Sequence, residues 1–295
     1  MRILAADLPS GVDADRGVVW GEAVRAHETL TFGLPKLGMV LPPGREHCGE
    51  ISVARIGIAD HHPERDPDAR LLTARGAAAL LPVRDAEGHK GSFGHVLVVA
   101  GSPGMSGAAV LAANAALRAG AGRITIACPD AVEAVIAARC TEATTAGLPA
   151  AAGGGLGSAA LPALRTLAEA RDVVVLGPGL GRDPEAQSLV AAFALELNRP
   201  MVLDADALYA LPERVTAERR APTLLTPHPG EAGALLGRSA ADVNADRPGA
   251  AREIAQRFGA VAILKGAGTA IAAPDGELWV NPTGGPILAG GGTGD

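Results

Sequence analysis

The chain has 295 residues, of which 48% are hydrophobic and 20% charged, and its formal net charge at pH 7 is -6. This composition is globular and excludes an intrinsically disordered chain. The acidic balance, with no long basic run, argues against a nucleic-acid surface. No apolar run reaches the roughly 18 residues needed to span a membrane. Aromatic residues make up only 2%, so we predict a core of Val, Leu, Ile and Ala.

The cysteines and the N-terminus indicate a cellular compartment. Cys48, Cys128 and Cys140 are widely spaced and odd in number, which predicts free thiols in a reducing environment. The first residues lack the apolar stretch of a signal peptide. We therefore expect a cytoplasmic protein.

Residues 1–58 contain three short apolar segments, at 3–6, 29–32 and 51–56, separated by Pro- and Gly-containing turns. We predict that they are the closing strands of a Rossmann-like α/β domain, present here as a remnant because a strand begins as early as residue 3. Residues 59–70 are polar and contain prolines, which is typical of a linker. Residues 71–295 would form a second domain.

From residue 71 onward, apolar segments alternate with helical patterns. This alternation predicts an α/β fold with a mostly parallel central sheet covered by helices on both faces. In such sheets, ligands bind beyond the carboxyl ends of the strands. The predicted strands are 96–100, 123–127, 172–176, 200–204, 223–226 and 260–264, the helices are 107–119, 185–197 and 252–258, and a hairpin pairs 269–272 with 278–280.

Glycine-rich turns follow two of the predicted strands. Residues 101–109 are small and open a helix, so their backbone could approach a phosphate or sugar; the alternative is a tight β–α turn that needs small residues. Residues 176–181, Leu-Gly-Pro-Gly-Leu-Gly, predict a rigid turn with exposed N–H groups. They do not match G-x-G-x-x-G with a downstream acid, so a dinucleotide-binding Rossmann domain is poorly supported.

Charged residues follow the next two strands. Asp204 and Asp206 could hold magnesium through water or bind a ligand hydroxyl. The alternative is a helix cap with first-turn acids, favoured more for Asp204 than for Asp206. Prolines on both sides hold His228 in a stiff loop, and Glu231 follows three residues later. Such rigidity suits ligand contact; the alternative is a proline turn with a surface histidine.

The last two motifs are suited to phosphate. Lys265 precedes a small-residue turn and could contact phosphate as a point charge, although the order of glycines and lysine is not that of a Walker A motif. The final residues, Gly-Gly-Gly-Thr-Gly-Asp, could stabilise a transferring phosphoryl group, with Asp295 orienting or deprotonating the acceptor hydroxyl. No helix follows this turn, so we expect the chain to be a fragment at both ends.

Taken in order, these motifs resemble the ADP/ATP-dependent NAD(P)H-hydrate dehydratase family, which has a ribokinase-like fold. The resemblance implies a hydro-lyase for metabolite repair. It would use ADP, or ATP, with Mg²⁺ to phosphorylate the added hydroxyl of NAD(P)HX, and phosphate elimination would then restore the nicotinamide ring. The matching stretches are 90–95, 101–109, 177–181, 203–206, 226–231, 265–269, 281–284 and 292–295.

The same resemblance implies residue roles. Asp295 would be the catalytic base, and the partner would be a small molecule, with a homo-oligomer in keeping with the family. The hydrate would contact Ala108, Gly181, His228 and Asp295. The nucleotide would be held by Lys265, Gly266, Ala267, Gly268, Thr269 and Gly294.

Residues 1–58 resemble the tail of the NAD(P)H-hydrate epimerase domain, an isomerase often fused upstream of the dehydratase in a multifunctional enzyme. The matches are residues 7–11, Asp13 and 29–38. By resemblance, Asp7 would contact the hydrate and Ser10 would help bind K⁺. The Asn-Asn-Gly-Gly-Asp loop of that family is absent from this chain, so no epimerase activity is expected.

Two alternatives stay open. One is a ribokinase-like kinase of vitamin-precursor alcohols, against which the His228 loop and the epimerase-like tail argue. The other is a catalytically impaired nucleotide-binding fragment. The helices that follow the last turn in the family are absent here, and the free α-carboxylate of Asp295 would oppose phosphate binding.

Overall fold

The computed structural model describes residues 1–58, 69–211 and 219–293. The N-terminal part contains a small parallel sheet of β1 (Leu4–Ala6), β2 (Glu28–Phe32) and β3 (Glu50–Ala54), in that order. These three strands confirm the predicted positions, although β3 ends two residues earlier than residue 56.

The connection between β2 and β3 joins the small sheet to the rest of the chain. It forms two short 3-10 turns, Leu37–Met39 and Gly44–His47. Met39 and Leu41 are buried, and Leu37 packs against the hydrophobic core of the larger sheet. The N-terminal part is therefore in contact with the larger sheet.

The larger sheet has ten strands, and the apolar segments of the sequence form most of them. The strands, in spatial order, are β4 (Arg70–Leu71), β13 (Leu278–Asn281), β12 (Thr269–Ala272), β11 (Val261–Leu264), β10 (Thr223–Leu225), β9 (Met201–Leu203), β8 (Val173–Leu176), β5 (His95–Val99), β6 (Arg123–Pro129) and β7 (Thr144–Leu148). All neighbouring strands are parallel except β12, which is antiparallel to both of its neighbours.

Helices cover both faces of this sheet, as predicted. Along β5, Leu97 and Val99 belong to one buried cluster and Val98 to the other, because successive strand side chains point to opposite faces. The helices are α1 (Ala74–Leu80), α2 (Ser106–Ala119), α3 (Asp130–Ala137), α4 (Leu161–Glu169), α5 (Pro184–Glu196), α6 (Pro229–Leu236), α7 (Ala240–Ala245) and α8 (Arg247–Phe258). Helices α4 to α8 complete the first cluster, and α2 and α3 complete the second.

The core is aliphatic, as the composition predicts. Within the described residues, Phe193 and Phe258 are the aromatic members of a core otherwise built from Val, Leu, Ile, Ala, Met and Cys. The three cysteines are free and buried, which confirms the prediction of free thiols. None of the helices in the described ranges is long and apolar enough to cross a membrane.

The predicted linker lies almost wholly outside the described residues. Only its last two residues, 69 and 70, are described, and Arg70 belongs to β4 rather than to a linker. Arg70 pairs in parallel with Trp279 of β13, which ties the start of the second predicted domain to the edge of the larger sheet. The division into domains at 1–58 and 71–295 stays a prediction.

Candidate functional site

Five neighbouring strands of the larger sheet, β11, β10, β9, β8 and β5, are all parallel and end at the same edge. The turns that follow them carry the motifs singled out from the sequence, so the sheet brings those motifs side by side. One direct link is a hydrogen bond of 2.8 Å from the backbone N–H of Lys265 to the carbonyl of Pro227. This edge is the candidate site.

The two glycine-rich turns are joined to each other. Ser102 is buried, and its hydroxyl donates to the carbonyl of Gly179 at 2.8 Å. Ala108, at the start of α2, lies directly against the second turn, because a side chain at Gly179 would come within 3.0 Å of the Ala108 Cβ. Gly181, in the same turn, has a positive φ of 85°. The structure therefore places Ala108, in the first turn of α2, against the turn that carries Gly181.

Asp206 fixes the second glycine-rich turn. Its carboxylate accepts hydrogen bonds from the backbone N–H of Gly181 at 3.0 Å and from Nε of Arg182 at 2.9 Å. The Arg182 guanidinium also lies 3.6 Å from the centre of the Tyr209 ring. Holding this turn is a role that the sequence did not predict for Asp206.

Asp204 forms a buried ion pair. It stands at the N-cap position of the 3-10 helix Ala205–Ala210, but its side chain makes no capping hydrogen bond. Its Oδ1 instead accepts from the Thr226 hydroxyl at 2.6 Å and from Nζ of Lys265 at 2.7 Å. Of the two alternatives left open for Asp204, its side chain does not perform the capping one, because the turns after β10 and β11 bring a hydroxyl and an ammonium group to the same carboxylate.

The described residues hold no group of three or more His, Cys, Asp or Glu side chains arranged to bind a metal ion. Asp204 and Asp206 face different partners, Lys265 for the first and Arg182 for the second. The two carboxylates therefore do not form a shared magnesium site by themselves.

His228 caps helix α6 and remains half exposed. Its Nδ1 accepts from the backbone N–H groups of Gly230 at 2.9 Å and Glu231 at 3.3 Å, and Glu231 in turn accepts from the His228 backbone N–H at 2.7 Å. An accepting Nδ1 places the proton of the neutral ring on Nε2. The imidazole is 52% exposed and its Nε2 lies 3.3 Å from Oε1 of Glu231, so the cap fixes the ring and leaves about half of it exposed.

The turn after β11, residues 265–269, is held on its buried side by Arg247 and flanked by residues 40–42. Its glycines adopt positive φ values, 135° at Gly266 and 63° at Gly268, and Thr269 donates its hydroxyl to the carbonyl of Gly266 at 2.8 Å. From below, the buried Arg247 donates to the carbonyls of Leu264 and Lys265, each at 3.0 Å.

Residues 40–42 of the N-terminal part lie against the same turn. A side chain at Gly268 would come within 3.1 Å of the Val40 carbonyl oxygen, 3.2 Å of Leu41 and 3.4 Å of Pro42. Gly268 is accordingly buried. The wall beside the turn is therefore built by a segment more than two hundred positions earlier in the chain.

Sequence reasoning missed Arg247 because it predicted the last long helix only from residue 252, whereas α8 begins at Arg247. The available signal was Asp246 followed by Arg-Pro. Asp246 accepts from the Gly249 N–H at 2.9 Å as an N-cap, and Pro248 fits the first turn.

In the N-terminal part, Asp7 is already engaged. It adopts a positive φ of 66°, and its carboxylate accepts from Lys36 Nζ and from the Phe32 N–H at 2.9 Å. The hydrogen bond from Lys36, followed by that from Phe32, lowers the pKa of Asp7. Ser10 is exposed three residues further on. Gly294 and Asp295 lie outside the described residues.

The ten-stranded sheet and its motif-bearing edge define a ribokinase-like α/β protein. The chain is similar in fold to a ribokinase-like superfamily protein from Enterococcus faecalis, with a TM-score of 0.64 and 24% identity over 79% of this chain and 78% of that one. The family described as NAD(P)H-hydrate dehydratase matches residues 96–295, and that described as YjeF-related protein N-terminus matches residues 1–38. The chain belongs to the NAD(P)H-hydrate dehydratase family.

Individual relatives agree with this membership. The ADP/ATP-dependent NAD(P)H-hydrate dehydratase from Bacillus subtilis, co-crystallised with ATP/Mg²⁺, is 36% identical with a TM-score of 0.65 over 77% of each chain. The bifunctional NAD(P)H-hydrate repair enzyme of Moorella thermoacetica is 48% identical over 99% of this chain and 56% of its own length. That of Coxiella burnetii is 41% identical over 99% of this chain and 58% of its own length. The chain spans about half the length of these curated relatives.

Proposed function

We propose that this chain dehydrates NAD(P)HX to NAD(P)H with ADP as the phosphoryl donor. ADP transfers its β-phosphoryl group to the added hydroxyl and leaves as AMP. The phosphate ester then loses phosphate and a ring proton, and the nicotinamide double bond reforms. A phosphate is a far better leaving group than a hydroxide. The observation that carries the proposal is the meeting of the glycine-rich turns, His228 and the Lys265 turn at one sheet edge in a chain of this family.

The nucleotide would lie on the turn formed by residues 265–269, together with Gly294. Lys265 has three N–H donors, and one is used by Asp204, which leaves two for phosphate oxygens. Its side chain is 25% exposed and therefore accessible from the edge. Gly266 is exposed and has no side chain that would block close approach of a phosphate. Mg²⁺ would be carried mainly by the phosphates, and ATP is an alternative donor.

The hydrate would lie on the other turns of the edge. Ala108 and Gly181 carry at most a methyl group, and His228, whose Nε2 lies 3.3 Å from a carboxylate oxygen of Glu231, keeps its ring half exposed at the same sheet edge. Asp295 would take the hydroxyl proton, as the family resemblance implies. The half-exposed imidazole at the strand edge supports substrate contact.

For the N-terminal part we propose no epimerase turnover. Its Asp7, which would contact the hydrate, is paired with Lys36, and a K⁺ site at Ser10 stays a prediction of the resemblance. A cytoplasmic location is a prediction from the sequence, and a homo-oligomeric state is implied only by the family resemblance.

The test is recovery of reduced-nicotinamide absorbance from NADHX, ADP and Mg²⁺ by this chain. We expect recovery together with release of AMP and inorganic phosphate. Lys265→Met should raise the KM for ADP, and His228→Gln the KM for NADHX. Arg165→Met, which breaks only the exposed pair with Glu196, is the matched control and should change neither. A phosphorylated product without restored nicotinamide would identify a kinase instead, and nucleotide binding without turnover would identify an impaired fragment.

A further inference from the structure

Arg247 is a buried cation beneath the turn after β11. Only 6% of the residue is exposed. Its Nη2 donates to the carbonyls of Leu264 and Lys265 at 3.0 Å each, and its Nη1 donates to the side chain of Asn244 at 3.0 Å. The fork of one guanidinium thus holds the two peptide groups that lead into Gly266.

The positive charge of Arg247 is not matched by a carboxylate. Within the described ranges it forms no ion pair, and its Nε has no hydrogen-bond partner there. Burial lowers the pKa of Arg247, which expresses the cost of keeping a charge away from water. The neighbouring cation, Lys265, is already paired with Asp204. A buried, unpaired charge at such a place calls for a purpose other than stability.

Arg247 determines which way the peptide group between Lys265 and Gly266 faces. In a trans peptide the C=O and the following N–H point in opposite directions. Because Arg247 holds the carbonyl of Lys265 from below, the N–H of Gly266 points away from the buried guanidinium. Gly266 must also be glycine, since a side chain there would come within 3.0 Å of Nη2 at a φ of 135°. Arginine and glycine together set the direction of this N–H.

We propose that Arg247 is a positioning residue for nucleotide binding. It fixes the Lys265–Gly266 peptide so that its N–H faces an anionic phosphate group, and it places an unpaired positive charge behind that N–H. The proposal rests on the proposed function, because it takes the turn of residues 265–269 as the nucleotide site. It concerns the phosphates of the nucleotide and not the hydrated nicotinamide.

The first test compares Arg247→Met and Arg247→Lys with the Arg165→Met control, by calorimetric titration with ADP and Mg²⁺ well below each variant's Tm. Arg247→Met should weaken ADP binding about tenfold or more. Arg247→Lys should weaken it nearly as much, because one ammonium nitrogen on a shorter side chain cannot hold both carbonyls and the Asn244 side chain as Nη2 and Nη1 of the guanidinium do. The KM for NADHX should stay within about twofold. Folded variants that bind ADP as the unsubstituted chain does, or full rescue by lysine, would overturn the positioning role.

A second measurement does not depend on nucleotide. Amide hydrogen exchange of residues 265–269 in the free protein should be faster in Arg247→Met than in the unsubstituted chain, with β8 unchanged. Should that variant fail to fold, Asn244→Ala, which removes one of the three hydrogen bonds of the guanidinium, should show a smaller change of the same kind. Unaltered exchange would refute the inference. If the unsubstituted chain does not bind ADP, the proposed function fails, while the exchange result still decides whether Arg247 holds the turn.

Discussion

The buried pair between Asp204 and Lys265 offers a quantitative test of how the sheet edge is held. Its atoms are 2.7 Å apart, and the two side chains are 7% and 25% exposed. Removing one partner of a fully buried pair costs about 3–5 kcal/mol. Because Lys265 keeps some contact with water, we expect Asp204→Asn and Lys265→Met each to lower the free energy of unfolding by about 2–3 kcal/mol.

The double variant should lose much less than the sum of the two, because it leaves no unpaired charge. The expected coupling free energy is about 1–3 kcal/mol, measured by urea unfolding of all four proteins. The matched control is the same cycle on Arg165 and Glu196, whose side chains are 47% and 46% exposed; it should give at most about 1 kcal/mol. A coupling for Asp204 and Lys265 no larger than that of the surface pair would refute the assignment of a buried, structural ion pair.

Three further outcomes follow from the structure. Burial, then the charges of Arg171 and Arg123, lower the pKa of His95 below its ordinary value. The unfolded chain therefore binds the extra proton at a higher pH than the folded protein does, and the free energy of unfolding should fall as pH drops below about 6.5, by at most about 1.4 kcal/mol per pH unit. In urea titrations at several pH values, His95→Gln should flatten this slope. Burial raises the pKa of Cys128 to about 11, so native protein at pH 8 should resist thiol reagents, and rapid labelling before unfolding would contradict this. Gly177→Ala should abolish cooperative thermal unfolding at the parent Tm, because its methyl group would overlap the Asp204 carbonyl.

The strands were predictable wherever the sequence carries an uninterrupted apolar run. Residues 96–100 and 260–264 appear as β5 and β11, shifted by at most one residue at either end. The edge strand β7, Thr144–Leu148, was not predicted, since its residues Thr-Thr-Ala-Gly-Leu contain no apolar run. Its place in the sheet comes from pairing with β6, which is a tertiary contact and leaves no local signal.

The candidate site was predictable as a set of strand-end motifs, because parallel strands bring their carboxyl ends to one edge. The contacts that hold those motifs were not. For Asp204 the sequence offered a ligand contact or a helix cap, whereas its partners Thr226 and Lys265 follow two other strands. Arg247 lay outside the predicted helix 252–258, and only the fold shows that its side chain is buried.

The wall that residues 40–42 build beside Gly268 has a thermodynamic consequence for the two ends of the chain. Under the proposed function, any free energy with which this wall favours the nucleotide-bound form of the turn must also appear as a gain in stability of the wall when nucleotide binds, since coupling between two sites is reciprocal. Nucleotide would then protect the N-terminal part against unfolding without contacting its sheet. The stability of the small N-terminal sheet would therefore depend on whether nucleotide is bound at the edge of the larger sheet.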